Sequence, residues 1–147
     1  MIKLYDLQRI THEHADEYKA AMARVIDSGW FLQGDETKQF EHDYARYIGT
    51  QHCVAVANGL DALYLILRAY KEMGVMADGD EIIVPANTYI ATILAITRNN
   101  LKPVLVEPTW HHLELDTDRV EQAITPRTRG GTALRLCIVL HQFEVVA

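Results

Sequence analysis

Short apolar runs alternate with helix-like segments from about residue 53 onward, and this alternation constrains the fold more than any other feature. The apolar runs have the length of buried strands and cover residues 53–57, 81–84 and 103–106. The segments that follow them place apolar residues at helical spacing over residues 60–73 and 89–98 and after Asp116 or Thr117. Because short turns join these segments, the pattern predicts an α/β fold, a mostly parallel sheet with helices on both faces.

Two helices are predicted ahead of the first apolar run. Thr11 is the expected N-cap of a helix that ends at Ser28-Gly29, where glycine tolerates a left-handed backbone. Asp35 is expected to cap the second helix, which Gly49 ends. Residues 127–131 form a basic, glycine-rich break, and residues 133–140 are compatible with one further strand.

Composition excludes several classes of partner. The 147 residues include 20 acidic and 14 basic ones, a formal net charge of -6, and no cluster of Lys and Arg suggests a nucleic-acid or anionic-membrane partner. No apolar stretch reaches the roughly 18 residues of a membrane span, and the first residues lack a signal-peptide pattern, so a cytoplasmic protein is expected. The two cysteines lie in apolar runs and are expected to be buried thiols; the seven histidines lack ligand spacing, so no metal site is expected.

The first candidate site is the loop Asn58-Gly59-Leu60-Asp61, where a predicted strand meets a helix. In an open parallel sheet, ligands bind beyond the carboxyl ends of the strands. Gly59 allows a ligand to approach the backbone, and the first N–H groups of a helix attract an anion such as phosphate. A plain turn, in which Asp61 stabilises the helix N-terminus, accounts for the same residues equally well.

The second candidate site, residues 85–92, gathers Asn87, Thr88 and Tyr89 at the same rim of the predicted sheet. An aromatic ring at the start of a helix is suited to stack on a flat heterocycle. From the residues alone, however, packing of Tyr89 onto a neighbouring helix is the favoured interpretation.

A third candidate is the aromatic pair Trp30 and Phe31, in a loop between Gly29 and Gly34. From the residues alone, a contact with the rest of the domain or with a second subunit is favoured over a ligand site. No nucleophile elbow, Walker A motif or dinucleotide-binding motif occurs in the chain. The residues by themselves therefore predict a phosphate-binding α/β domain without specifying a mechanism.

Five segments of the chain share their order and spacing with one known family. They are Ser28-Gly29-Trp30-Phe31-Leu32-Gln33-Gly34 with Phe40-Glu41, Asn58-Gly59-Leu60-Asp61-Ala62-Leu63, residues 79–92, Lys102-Pro103-Val104 and Ile124-Thr125-Pro126-Arg127-Thr128. In this order they resemble the DegT/DnrJ/EryC1/StrS family of pyridoxal-phosphate-dependent sugar aminotransferases. The resemblance implies part of the large domain of the fold-type I aminotransferase fold. It also implies pyridoxal 5'-phosphate as cofactor, a nucleotide-linked keto sugar and an amino donor as substrates, and a homodimer. The opening Ile2-Lys3-Leu4-Tyr5-Asp6-Leu7 is similar to the branch that aminates the 3-keto group of a dTDP-linked 6-deoxyhexose.

The resemblance also implies roles for individual residues. Gly59 and Leu60 match the segment whose N–H groups hold the cofactor phosphate, and Tyr89 matches the aromatic residue that stacks on the pyridine ring. Thr88 is expected beside the cofactor or substrate. Trp30 and Phe31 match a loop near an active site that forms across the dimer interface.

Two departures from the family pattern limit what the chain is expected to do. Its lysines are Lys3, Lys19, Lys38, Lys71 and Lys102, and none stands in the motif of the Schiff-base lysine, so no catalytic residue is assigned. The similarity fades after Thr128, which favours a division into an aminotransferase part, residues 1–128, and a divergent tail, residues 129–147, for which a frame shift is favoured over a divergent natural end. The expected consequence is a chain that is inactive alone. The alternative is a non-catalytic α/β module that binds phosphate or another protein.

Overall fold

The computed structural model describes residues 6–129, which divide into two compact units within Met1–Ala55 and Val56–Ala147. The tail expected at 129–147 and the strand expected at 133–140 lie outside the described residues, except for Arg129. The division at residue 128 therefore stays a prediction.

The first unit contains three helices, α1 (Leu7–Glu13), α2 (Ala15–Ser28) and α3 (Asp35–Ile48). The sequence predicted one helix after Thr11, but the chain becomes helical earlier because the Asp6 carboxylate accepts the N–H of Arg9 at 3.3 Å. A break at His14 separates α1 from α2. The two predicted stops are confirmed, since α2 ends at Gly29 and α3 at Gly49, both left-handed.

The cap predicted for α3 is displaced by one residue. Gly34 occupies the N-cap, and Asp35 is the first helical residue. The Asp35 carboxylate accepts a bond from Lys38 Nζ at 3.2 Å instead of capping the backbone. An acidic residue in the first turn still stabilises the positive end of the helix dipole.

The strand predicted at residues 53–57 is absent from the described chain. Cys53 is a free, half-buried thiol, and Val54 is 75% exposed, so this segment is not a buried strand. The N–H of Ala55 donates to Glu41 Oε1 at 2.7 Å. A strand needs a partner for its backbone groups, and here a side chain takes up one of those groups. The prediction that this apolar run forms a strand is therefore wrong.

The second unit follows the predicted alternation. Its elements are α4 (Gly59–Glu72), β1 (Glu81–Pro85), α5 (Ile90–Arg98), β2 (Lys102–Val106) and α6 (Thr117–Ala123). The two strands pair in parallel, with Glu81 opposite Lys102 and Pro85 opposite Val106. Residues 81–84 are all buried; because successive side chains point to opposite faces of a sheet, both faces of β1 are covered. The predicted α/β class with a parallel sheet is confirmed.

A single apolar cluster holds these elements together. Its buried members are Leu67, Met76, Ile82, Val84, Ala95, Ile96 and Leu101. Helix α4 packs against α5, and β2 contacts both α5 and α6. A buried polar side chain lies beside the core. The side-chain amide of Asn99, 2% exposed, donates to the carbonyls of Tyr64 at 3.0 Å and Ala95 at 2.9 Å. This amide connects α4 with the last turn of α5.

The amino end of β1 is held by polar contacts. Glu81, which is buried, accepts bonds from Lys102 Nζ at 2.9 Å and from Thr125 Oγ1 at 2.5 Å. These two hydrogen bonds, that of Thr125 first, hold the pKa of the Glu81 carboxyl below its usual value. The backbone of Glu81 also bonds Arg127 and Arg129, forming one parallel bridge centred on Thr128. The opposite, carboxyl end of β1 leads into the loop that contains part of the candidate site.

Candidate functional site

The carboxyl ends of β1 and β2 meet at one edge of the sheet, where the site was predicted. The parallel register places Pro85 beside Val106, and the N–H of Ala86 donates to the Val106 carbonyl at 2.8 Å. The chain leaves β1 through residues 86–89 and enters α5. Ligands of open parallel sheets bind at such an edge because the loops there are free to vary around a rigid scaffold.

The N-terminus of α4 leaves two backbone donors open. Asn58 caps the helix: its Oδ1 accepts the N–H of Asp61 at 2.9 Å, and its Nδ2 donates to Asp61 Oδ2 at 3.1 Å. The carbonyl of Asn58 accepts the N–H of Ala62 at 3.1 Å. Within residues 6–129, the N–H groups of Gly59 and Leu60 have no acceptor. These two donors lie at the positive end of a 14-residue helix, which is the arrangement that binds anions.

Tyr89 stands at the start of α5 with its side chain in solvent. It is the N-cap residue, has an extended backbone and is 72% exposed. Among the described residues its ring has no aromatic partner, so the packing onto a neighbouring helix favoured from the residues alone is not seen. The ring face is therefore free to contact a ligand.

Neighbouring polar groups hold the Tyr89 loop. Thr88 is half-buried, and its hydroxyl donates to Thr92 Oγ1 at 2.9 Å. The side chain of Asn87 donates to the carbonyl of Leu113, in the loop after β2, at 3.0 Å. Thr88 and Tyr89 were predicted from the sequence as site residues, whereas Thr92 was not. Its spacing of four residues from Thr88 becomes a signal only once the two hydroxyls are known to face each other.

Trp30 and Phe31 belong to the first unit and are 68% and 67% exposed. They line a cleft of about 430 Å³ between the end of α2 and the start of α3. The indole of Trp30 donates to the carbonyl of Leu32 at 2.6 Å. A Cβ on Gly34 would lie 3.1 Å from Trp30 Cδ1, so glycine at this position allows the indole to approach the backbone closely.

An ion pair borders the same cleft. Arg24 Nε donates to Glu36 Oε1 at 2.6 Å, and Arg24 Nη2 donates to Glu36 Oε2 at 3.0 Å. These charge-assisted hydrogen bonds lower the pKa of Glu36 and raise that of Arg24. This two-point contact links the start of α3 to α2 at the edge of the cleft.

The structure thus places four of the six predicted site residues in the second unit. Thr88 and Tyr89 share one loop, and Gly59 and Leu60 share the first turn of α4; no hydrogen bond joins these two pairs within the described chain. Among residues 6–129 no group of three His, Cys, Asp or Glu side chains could hold a metal ion. The same residues include no helix long and apolar enough to cross a membrane.

Comparison with known proteins supports the resemblance noted from the sequence. A model of the DegT/DnrJ/EryC1/StrS aminotransferase family matches residues 12–139. The dTDP-3-amino-3,6-dideoxy-alpha-D-galactopyranose transaminase of Aneurinibacillus thermoaerophilus is 49% identical over 136 residues, which cover 92% of this chain and 36% of that protein. The dTDP-3-amino-3,4,6-trideoxy-alpha-D-glucose transaminase of Streptomyces venezuelae is 47% identical over 129 residues, covering 88% of this chain and 33% of the relative. The chain therefore spans about a third of the length of the curated relatives it matches.

Solved structures show the same relation. The crystal structure of S. venezuelae DesV superposes with a TM-score of 0.75 at 46% identity, covering 86% of this chain and 33% of DesV. That of Bacillus subtilis NtdA, solved with bound cofactor PMP, superposes with a TM-score of 0.75 at 28% identity, covering 86% of this chain and 28% of NtdA. The fold is thus part of the large domain of the fold-type I aminotransferases, as the resemblance implied.

Proposed function

We propose that this chain, which belongs to the DegT/DnrJ/EryC1/StrS aminotransferase family, is the cofactor-holding N-terminal part of an aminotransferase that acts on a nucleotide-linked keto sugar. The observation that carries the proposal is the pair of open N–H donors, Gly59 and Leu60, at the start of α4. The substrate class follows from the two relatives, both named as transaminases of dTDP-linked amino sugars. The cofactor is pyridoxal 5'-phosphate.

The first turn of α4 fits the cofactor phosphate. Two backbone donors without acceptors and the positive end of the helix dipole favour an anion at this position. The Asp61 carboxylate lies in the same turn and would repel an anion, but Asn58 Nδ2 donates to it and the Asp61 N–H is already used by the cap. Gly59 and Leu60 are therefore the groups we assign to the phosphate.

Tyr89 fits the ring of the cofactor. Its exposed side chain stands at the carboxyl edge of the sheet, and a phenol ring stacks well on a flat aromatic ring. When bound, the cofactor supplies the electron sink that amino transfer needs. This part of the chain binds and orients the cofactor. Gly59 and Leu60 bind its phosphate, Tyr89 contacts its ring, and Thr88 lies next to Tyr89 on the side of the substrate.

None of the described lysines suits covalent attachment of the cofactor. Lys71 bonds Asp78 and the carbonyl of Asn99, and Lys102 bonds Glu81 at the amino end of β2, away from the Tyr89 edge. Lys19 and Lys38 make ion pairs with acidic neighbours on their own helices. Lys3 precedes the described residues. This arrangement supports the expectation that the chain is inactive alone.

The remaining parts of the proposal concern partners and compartment. Trp30 and Phe31 are exposed and line a cleft, which suits a surface that a nucleotide sugar or a second subunit covers. We therefore retain the homodimer, the amino donor and the cytoplasm as predictions. Size-exclusion chromatography with light scattering measures the oligomeric state directly.

Ligand dissection of the binding site tests the proposal. Pyridoxamine 5'-phosphate is the suitable probe because it binds without a lysine, and pyridoxamine and inorganic phosphate separate the contributions of its ring and its phosphate. We expect the intact chain to bind pyridoxamine phosphate more tightly than either fragment, and Tyr89→Leu to weaken binding while Tyr89→Phe preserves it. Tyr47, 84% exposed on α3, is the matched control, and Tyr47→Leu should leave the affinity unchanged. Equal affinity for pyridoxamine with and without its phosphate would contradict the phosphate assignment.

A further inference from the structure

Two side-chain hydrogen bonds lie next to Tyr89 in the chain. The side chain of Asn87, two residues before Tyr89, donates to the Leu113 carbonyl at 3.0 Å, and the hydroxyl of Thr88, one residue before it, donates to Thr92 Oγ1, three residues after it, at 2.9 Å. From this geometry we infer that Asn87 and Thr92 are positioning residues that hold Tyr89 in the orientation the cofactor ring requires. The inference rests on the proposed function, because it concerns how the same site is pre-arranged.

Thr92 takes part in the deeper of these two hydrogen bonds. It is fully buried in α5, at 0% exposure, and its N–H donates to the carbonyl of Tyr89 at 3.0 Å. Its hydroxyl therefore gives the half-buried Thr88 a fixed partner inside the protein. Together the two bonds hold the backbone before and after the Tyr89 Cα, from which the ring projects; within residues 6–129 that ring makes no aromatic contact of its own.

Asn87 connects the beginning of the Tyr89 loop to a second loop. The Leu113 carbonyl that it contacts belongs to residues 107–116, the connection between β2 and α6. That connection is internally fixed, since the Thr109 N–H donates to the Glu114 carbonyl at 2.8 Å and Leu113 has a positive φ of 56°. The Tyr89 loop is thereby linked, through an exposed hydrogen bond, to a neighbouring loop that has internal hydrogen bonds of its own.

The competing explanation is that the Thr88–Thr92 bond only stabilises the start of α5. Valine has nearly the shape of threonine, so Thr92→Val removes the hydroxyl without a cavity, and Thr92→Ser retains the hydroxyl. Thr97 provides a matched control in the same helix: it is exposed, and within residues 6–129 its hydroxyl bonds only the carbonyls of Ile93 and Leu94. Thr97→Val should leave cofactor affinity unchanged.

The first readout is the affinity of the 147-residue chain for pyridoxamine 5'-phosphate. In Thr92→Val and Asn87→Ala the Tyr89 side chain would become ordered only when the ligand binds. The free energy needed to order one side chain weakens binding roughly threefold to tenfold, which is the loss of affinity we expect for both variants. Thr92→Ser should restore wild-type affinity. If Thr92→Val and Asn87→Ala bind as tightly as the wild type, or if Thr92→Val only lowers the melting temperature, the inference is overturned.

The second readout needs no ligand. The ¹⁵N relaxation order parameter of the Tyr89 amide should fall in Thr92→Val and Asn87→Ala and stay unchanged in Thr97→Val. A wild-type chain that fails to bind pyridoxamine phosphate, with these order parameters behaving as expected, would refute the proposed function and leave the loop geometry standing. Unchanged order at Tyr89 in both variants would refute the positioning role whether or not the cofactor binds.

Discussion

Leu67 offers a direct test of the core that supports the site. It is 0% exposed and lies on α4 among Ile82, Val84 and Ile96. Leu65 lies two residues earlier on the same helix and is 47% exposed. Because both positions are inside α4, replacing either leucine with alanine changes helix propensity equally. The difference between the two variants therefore reports burial alone.

The expected magnitude follows from the side chain removed. Leu67→Ala deletes about three methylene equivalents at roughly 0.8 kcal/mol each, or about 2.4 kcal/mol, before any cavity contribution. With the cavity left among rigid neighbours, the free energy of unfolding should fall by about 2–5 kcal/mol. Leu65→Ala removes surface that is already half in water, so its cost should stay below about 1 kcal/mol.

Guanidinium denaturation of the two variants and the wild type measures this difference. At about 2–4 °C per kcal/mol for a chain of about 150 residues, the expected difference of roughly 1–4 kcal/mol should also make Leu67→Ala melt about 2–16 °C below Leu65→Ala. Unequal denaturant slopes would mean that a variant unfolds with altered compactness or no longer in two states. Equal destabilisation of the two variants would refute the placement of Leu67 in the core and, with it, the packing that positions α4.

Two further predictions concern α4 and β1. Asn58→Ala removes the cap of α4 and should lower the free energy of unfolding by about 1 kcal/mol, which thermal melts measure. Asn58→Asp keeps a cap but adds a carboxylate beside Asp61, so it should weaken the binding of pyridoxamine phosphate, which ligand titrations measure. The pKa of Glu81 is lowered by Thr125 and then by Lys102, so its stabilising contribution is present above the ordinary value of 4.5 and is lost as the pH falls through the lowered value. Melting temperatures between about pH 7 and about pH 3 should therefore decline more steeply in the wild type than in Glu81→Gln, and parallel curves would contradict the shift.

The alternation of apolar runs and helical periodicity predicted the second unit well. Residues 81–84 and 103–106 became β1 and β2, and α4 and α5 lie within one residue of their predicted bounds, because each short apolar run has a parallel partner and each helix a core-facing stripe. The same reasoning failed at residues 53–57. An apolar run becomes a strand only when a neighbour satisfies its backbone, and no local pattern says whether that neighbour is present.

The candidate site was predicted in part for the same reason. Gly59 and Leu60 were recognisable because a glycine at a strand–helix junction exposes helix N–H groups, a local property of the sequence. Exposure of Tyr89 was not predictable from the residues, since a tyrosine before a helix packs as readily as it protrudes. Thr92 was missed because a threonine within an apolar helix is indistinguishable from a core residue until its hydroxyl partner is known.

The central claim is that the first turn of α4 holds the cofactor phosphate, and an NMR titration tests it most directly. Amide ¹H–¹⁵N shifts of the labelled chain would be followed while pyridoxamine 5'-phosphate, and separately inorganic phosphate, are added. The account predicts that the amides of Gly59 and Leu60 shift with both ligands, as phosphate oxygens accept their N–H groups, and that Tyr89 shifts only with the ring-bearing ligand. Saturable binding that leaves Gly59 and Leu60 unmoved would contradict it.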